Sequence, residues 1–206
     1  MFVLDLLRSL RPLPGTVEWS EKKKRKVEEN MPPYSPAVVA NEFLARSGRD
    51  GKPVTPMQLQ KLVFLAHGWN LGVNEEPLIN EGIEAWEYGP VVPSLFHEFK
   101  RFGGAPITKL AYEPVAVAVG TKSPELDFDS DAPFLPDDDN ATAELIDWIW
   151  EEYGTQSGWQ LSLLTHKPDA PWSSTVRNNR GTRNPVIADG VIRDHYNQLW
   201  AKRDAG

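Results

Sequence analysis

The run IEAWEYGPVVPSLFHEFKRFGG, Ile83 to Gly104, constrains the fold of this chain more than any other stretch. Ile83 to Tyr88 has strand character, with Glu84, Trp86 and Tyr88 on one side of an extended segment. Gly89-Pro90 then forces a corner. Pro93 opens a helix whose Val92, Leu95, Phe96, Phe99 and Phe102 face inward, and Gly103-Gly104 closes it. The run holds no evident nucleophile, phosphate loop or metal-ligand spacing, and so reads as a shaped contact surface rather than an active centre.

The flanking chain supplies the helices that such a corner needs to pack against. Ser35-Pro36 is a cap followed by proline at the first helical position, with Val38, Val39, Phe43 and Leu44 as the apolar face and Gly48 as the stop. Thr55-Pro56 repeats the signal. There Leu59, Leu62, Val63, Ala66 and Trp69 form one stripe, widened by Phe64, Leu65 and Leu71, as expected of the central helix of a domain. Residues 105–136, rich in proline and carrying the alternation Val115 to Val119, read as extended chain with a candidate hairpin. Asp138 or Asp139 caps a helix with Leu145, Ile146, Ile149 and Tyr153 inward, Gly158 to Thr165 forms a short helix, and Asp189 caps a last one through Val191, Ile192, Tyr196 and Leu199.

Composition narrows the function. The net charge is −7, and residues 1–30 hold seven Lys/Arg against five Asp/Glu, so the remaining chain carries 15 against 24. An acidic body does not track nucleic acid and suits a basic protein partner, although solubility accounts for it equally well. The exception is Lys22–Lys26, KKKRK, which reads as a solvated charged tail or as a nucleic-acid or partner-binding arm. The chain has no cysteine, hence no disulfide framework and no thiolate site. No apolar run nears the roughly 20 residues that span a bilayer, and Asp5 and Arg8 break the N-terminal apolar stretch, so a cytoplasmic location is expected. The eight tryptophans exceed what the centre of a small domain holds, which divides them between core, core rim and interface anchors.

Each candidate for chemistry has a plainer reading beside it. His67 lies on the central helix with no second ligand three or four residues away, and reads as a buried structural histidine. His97, Ser94 and Arg101 share the exposed side of their helix, as a polar contact strip, an anion site or a solvated face. His166, in LTHKPDAPW, sits at a helix C-terminus with Asp169, Pro171 and Trp172 in a following turn that can lock its ring. Turn-locking, partner contact and catalysis all remain open for it, though no nucleophile or metal partner is visible. His195 reads as a packing or surface residue. Asp137 to Asp139 lack the spaced ligands and glycine of a calcium loop, and neither metal nor cofactor is expected.

Three segments together, LQKLVFLAHGWNL, EPLINEGIEAWEYGPVVPSLFHEFKRFGG and LSLLTHKPDAPW, closely resemble the Panacea domain of SocA-like and GepA-like phage-associated proteins. The resemblance runs from about Tyr34 to about Trp200. The specific part is the ordered series Glu84, Trp86, Tyr88-Gly89-Pro90-Val91, Pro93, Phe99 and Gly103. It implies an antitoxin of a bacterial or phage (prophage) toxin–antitoxin system that binds its toxin protein directly, with some members resembling adaptors to a Clp-type protease. It supplies no catalytic residues. The first 30 residues fall outside it, and the Val115–Asp139 insert is long for the family.

These readings converge on an α+β, predominantly α-helical single domain with a small antiparallel β element. Residues 1–33 form an extension or tail, and residues 34–203 form the Panacea domain. The expected function is toxin neutralisation by a non-enzymatic protein, with Trp86, Tyr88, His97, Arg101, His166 and Trp172 as partner-binding candidates. For Trp86 and Tyr88 the competing reading is burial in the core. The alternatives are a nucleic-acid-binding autoregulator acting through Lys22–Lys26 and a hydrolase-like enzyme centred on His166.

Overall fold

The computed structural model describes residues 33–112 and 132–204. Lys22–Lys26 and the Val115–Val119 alternation lie outside the described residues. The elements are α1 (Pro36–Asp50), α2 (Pro56–Asn74), β1 (Ile83–Trp86), β2 (Gly89–Val91), α3 (Pro93–Phe99), a 3-10 turn (Lys100–Phe102), α4 (Asn140–Tyr153), α5 (Gly158–Thr165), α6 (Pro171–Asn178), β3 (Val186–Ile187) and α7 (Asp189–Asp204). The architecture is predominantly helical, with one small antiparallel sheet of order β2-β1-β3.

Helix α2 is the hub. Every residue from Gln58 to Trp69 is buried, so the helix has no solvated face over that length. Such all-round burial requires neighbours on every side, and α7, α5, α4, α1 and β2 surround it. Its start is chemical: Thr55 accepts from the Gln58 N–H, and Pro56 occupies the first turn, where a missing N–H does no harm. At Gly68 and Gly72 a side chain would meet Tyr196 of α7 at 2.2 and 2.5 Å. The two helices therefore approach closely there because those positions carry no Cβ. Trp69 sits at this crossing, edge-on to Trp148 (5.3 Å between centroids) and to Tyr196 (5.2 Å).

Several boundaries differ from the sequence expectation. Helix α1 runs through Gly48 to Asp50 and ends where Gly51 adopts φ 62, whose N–H bonds back to the Gly48 carbonyl. A glycine stops a helix by turning left-handed, and of Gly48 and Gly51 it is Gly51 that does so. Strand β1 ends at Trp86, which places Glu87 and Tyr88 in the turn. Phe96 and Phe102 are half-buried, while Leu95 and Phe99 form the buried face of α3, and the α-helix gives way to 3-10 after Phe99. On α7, Val191 is exposed, leaving Ile192 and Tyr196 to the core. Pro171 and Trp172 open α6 instead of forming a turn, and β3 was not expected at all.

His67 is buried as expected. The N–H groups of Leu78 and Ile79 share its Nδ1 (3.3 and 3.4 Å), so that nitrogen holds a lone pair and Nε2–H faces Asp189 Oδ1 at 3.3 Å. This hydrogen bond holds the Asp189 carboxyl below its ordinary range. One ring thus ties the chain leaving α2 to the start of α7.

Candidate functional site

The Gly89-Pro90 corner is built from β1 and β2, paired as Glu84 to Val91, Ala85 to Pro90 and Trp86 to Gly89. What holds it is polar and comes from beneath. Gln60 of α2 exchanges two hydrogen bonds with the Val92 backbone, accepting its N–H at 2.8 Å and donating to its carbonyl at 3.1 Å. The next residue, Lys61, is 1% exposed, and its Nζ donates to the Pro90 carbonyl at 2.9 Å. Burial pushes the Lys61 ammonium down to about 7, because an interior site penalises the charged form. Gly89, at φ 104, lies directly over this amine. A Cβ there would stand 2.7 Å from Thr165 Oγ1 and 2.9 Å from Lys61 Nζ. Glycine is thus required at the corner by both backbone and space.

Helix α5 and its C-terminus clamp the corner from the other side. Its N-terminus carries a capping box between Ser157 and Gln160. The Ser162 hydroxyl donates to the Tyr88 carbonyl at 3.0 Å. His166 caps the helix, with Nδ1 2.7 Å from the Ser162 carbonyl and Nε2 3.3 Å from the Glu87 carbonyl. A carbonyl only accepts, so Nδ1 carries a proton and the ring works as a donor. His166 packs at 3.9 Å against Trp172, whose indole N–H donates to the Trp86 carbonyl at 2.8 Å. On the outer side Trp86 donates to Glu84 Oε2 at 2.7 Å and lies 4.6 Å from Phe96, which meets His97 edge-on at 5.6 Å.

Among the six candidates, the structure therefore brings Trp86, Tyr88, His166 and Trp172 together, and His97 joins through Phe96. Arg101 is at the far end, exposed in the 3-10 turn with its guanidinium 5.2 Å from the Phe102 ring. The core alternative for Trp86 and Tyr88 is corrected: Trp86 is half-buried and Tyr88 is 55% exposed, because β1 ends before Tyr88 and the turn projects beyond the sheet. His166 lies 3.5 Å from the Ser162 hydroxyl and 3.4 Å from that of Thr165, yet both hydroxyls already donate to backbone carbonyls. Neither is poised as a nucleophile by this ring, because the nitrogen nearest both hydroxyls is Nδ1, which carries its proton and offers them no lone pair.

Sequence reading missed Gln60, Lys61, Ser162 and Thr165. The available signal was the central helix itself, so apolar on all sides that its few polar residues had to be buried with it. It also passed over Trp159, which is 58% exposed on α5 beside Leu163 at 55%. Among the described residues no group of acidic or histidine side chains could hold a metal ion, and no helix is long and apolar enough to cross a membrane.

The residues that build and clamp the corner fall inside one recognised sequence family. The family described as "Antitoxin SocA-like, Panacea domain" matches residues 59–173, more than half of the chain. The chain belongs to that family. The Panacea match runs from residue 59, near the start of α2, through the corner and α5, and ends at the start of α6, just past the Trp172 indole. A protein named Antitoxin SocA, from Caulobacter vibrioides (strain NA1000 / CB15N), is 29% identical over 164 residues, covering 77% of this chain and 80% of that protein. No solved structure matches this Panacea protein.

Proposed function

We propose that this chain is the antitoxin of a two-gene toxin–antitoxin system and neutralises its cognate toxin protein by direct binding. Membership of the SocA-like family carries the reading. The geometry supports it: interior groups hold the corner in place while Tyr88, His97 and Arg101 project into solvent. A surface fixed before contact avoids the ordering cost of binding, which favours affinity. Trp86, His166 and Trp172 act mainly by locking that surface, with their half-exposed edges available to the partner. Residues 34–203 constitute the binding unit, acting in the cytoplasm, and no catalytic step is assigned to it.

The test is co-expression of the tagged chain with the product of the adjacent open reading frame. A stoichiometric complex that survives purification is the expected result, and two proteins that elute apart would refute the reading. Transfer of the toxin to a Clp-type protease is a further part of the proposal. It predicts that rescue of growth is lost in a host lacking that protease, whereas occlusion alone predicts that rescue persists.

A further inference from the structure

Helix α5 contains no charged residue from Gly158 to Thr165, although Trp159, Gln160 and Leu163 are exposed. Its inner side buries Gly158, Leu161, Ser162 and Thr165. Its outer side shows Trp159 and Leu163, one turn apart and each more than half exposed. A helix on a soluble surface normally turns a polar or charged face outward, so two large apolar side chains exposed one turn apart on an uncharged helix make this face a candidate contact surface. Tyr88, also more than half exposed, belongs to the turn that this helix holds, since its backbone carbonyl accepts from the Ser162 hydroxyl.

The ridge is rigidly presented. The capping box fixes the helix start, and a Cβ at Gly158 would lie 2.9 Å from the Gln58 backbone and from Met57, so α5 is seated tightly on the start of α2. At one border stands Glu87, exposed in the turn, its carbonyl bonded to His166 while its carboxylate meets no described cation. The body of the chain is acidic as a whole.

We infer that Tyr88, Trp159 and Leu163 form the toxin-docking ridge, and that its occupant is a segment of the toxin carrying apolar side chains and a neighbouring cation that meets Glu87. The inference rests on the antitoxin reading and relocates its contact surface from the α3 side, with His97 and Arg101, to the α5 side of the corner. Aromatic anchors at the centre of such a patch dominate binding, and a flanking charge sets the association rate and its salt dependence.

The test uses the full chain and the product of the adjacent open reading frame as the probe. Three variants are compared with wild type for affinity and oligomeric state: Trp159→Ala with Leu163→Ala, Glu87→Lys, and Arg180→Ala. All substituted positions are exposed, and unchanged thermal unfolding verifies the fold. The double substitution is expected to weaken binding by roughly a hundred-fold or more, Glu87→Lys to slow association at low salt, and Arg180→Ala, at an exposed position with no assigned role, to leave affinity intact. If wild type binds and the first two variants bind equally well, the ridge is wrong while the antitoxin reading stands. If wild type does not bind, both fall. If wild type is a dimer that the double substitution makes monomeric, with toxin affinity unchanged, the ridge is covered by a second copy of this chain and the proposal is overturned.

Discussion

The indole N–H of Trp172 donates to the main-chain carbonyl of Trp86 across 2.8 Å, joining the first turn of α6 to the end of β1. Two aromatic residues 86 positions apart in sequence are thereby linked through backbone, with the His166 ring packed against Trp172 and its Nε2 3.3 Å from the Glu87 carbonyl. Trp172→Phe keeps most of the ring and removes the donor. It should destabilise the protein by about 1–2 kcal/mol, the usual cost of leaving a partly buried carbonyl unpaired. Urea unfolding measures this, and a loss below about 0.3 kcal/mol would show that water replaces the indole N–H without penalty.

Gly89 should tolerate no side chain. At φ 104 an alanine is strained, and its Cβ would overlap both Thr165 and Lys61. Gly89→Ala is expected to cost about 2 kcal/mol or more and to weaken partner binding, because the corner must move. Gly104→Ala is the matched control. Its Cβ meets nothing within 4 Å and its backbone is ordinary, so stability should change by no more than about 0.5 kcal/mol. Equal thermal midpoints for the two variants would contradict the packing described for the corner.

Lys61 gives the fold a pH dependence with a definite sign. Its amine releases its proton at about 7 when folded and at 10.5 when free. Between those values the unfolded chain binds more protons, so stability rises with pH. Below about 7 both states are protonated and the full penalty of a buried ammonium is present. Relative to Lys61→Met, wild type should therefore gain about 2 kcal/mol between pH 7 and pH 9. Paired denaturation curves at several pH values test this, and parallel pH profiles for the two proteins would show that the buried amine does not titrate in this window.

His67 is expected to be among the costliest single positions. Its Nδ1 serves two main-chain N–H groups and its Nε2 reaches Asp189. His67→Leu fills the space and abandons all three contacts, which should cost about 2–4 kcal/mol given about 1–3 kcal/mol for each buried unpaired donor. Asp189→Asn, at a position open to solvent, should cost less than half as much. Amide exchange at Leu78 and Ile79 should accelerate in His67→Leu, and unchanged protection there would remove the assigned role.

The helix starts were legible because proline and a capping side chain leave a local mark. Thr55-Pro56 and Asp139 open helices where expected, and α5 has the expected bounds. Helix α6 carries the same proline mark as α3 and likewise no capping oxygen, but Pro171 follows directly on the LTHKPDA segment and so read as part of a turn. Strand β3 is two residues long and exists only through its pairing with Ile83 and Glu84, a partnership that no local pattern records. The site was legible in part. Its aromatic and imidazole groups could be named from type and position, but Lys61 could not, since the pattern rule that places lysine in water fails on a helix enclosed on every side. Trp159 was counted among the tryptophans but not singled out, because exposure is a property of the assembled surface.

The central claim is that this chain neutralises a protein toxin. The most direct measurement is growth of a bacterial host expressing the adjacent open reading frame, with and without this chain. The account predicts arrest by the neighbour alone and restored growth when both are present. A neighbour that is toxic and not rescued, or that has no effect on growth, would contradict it.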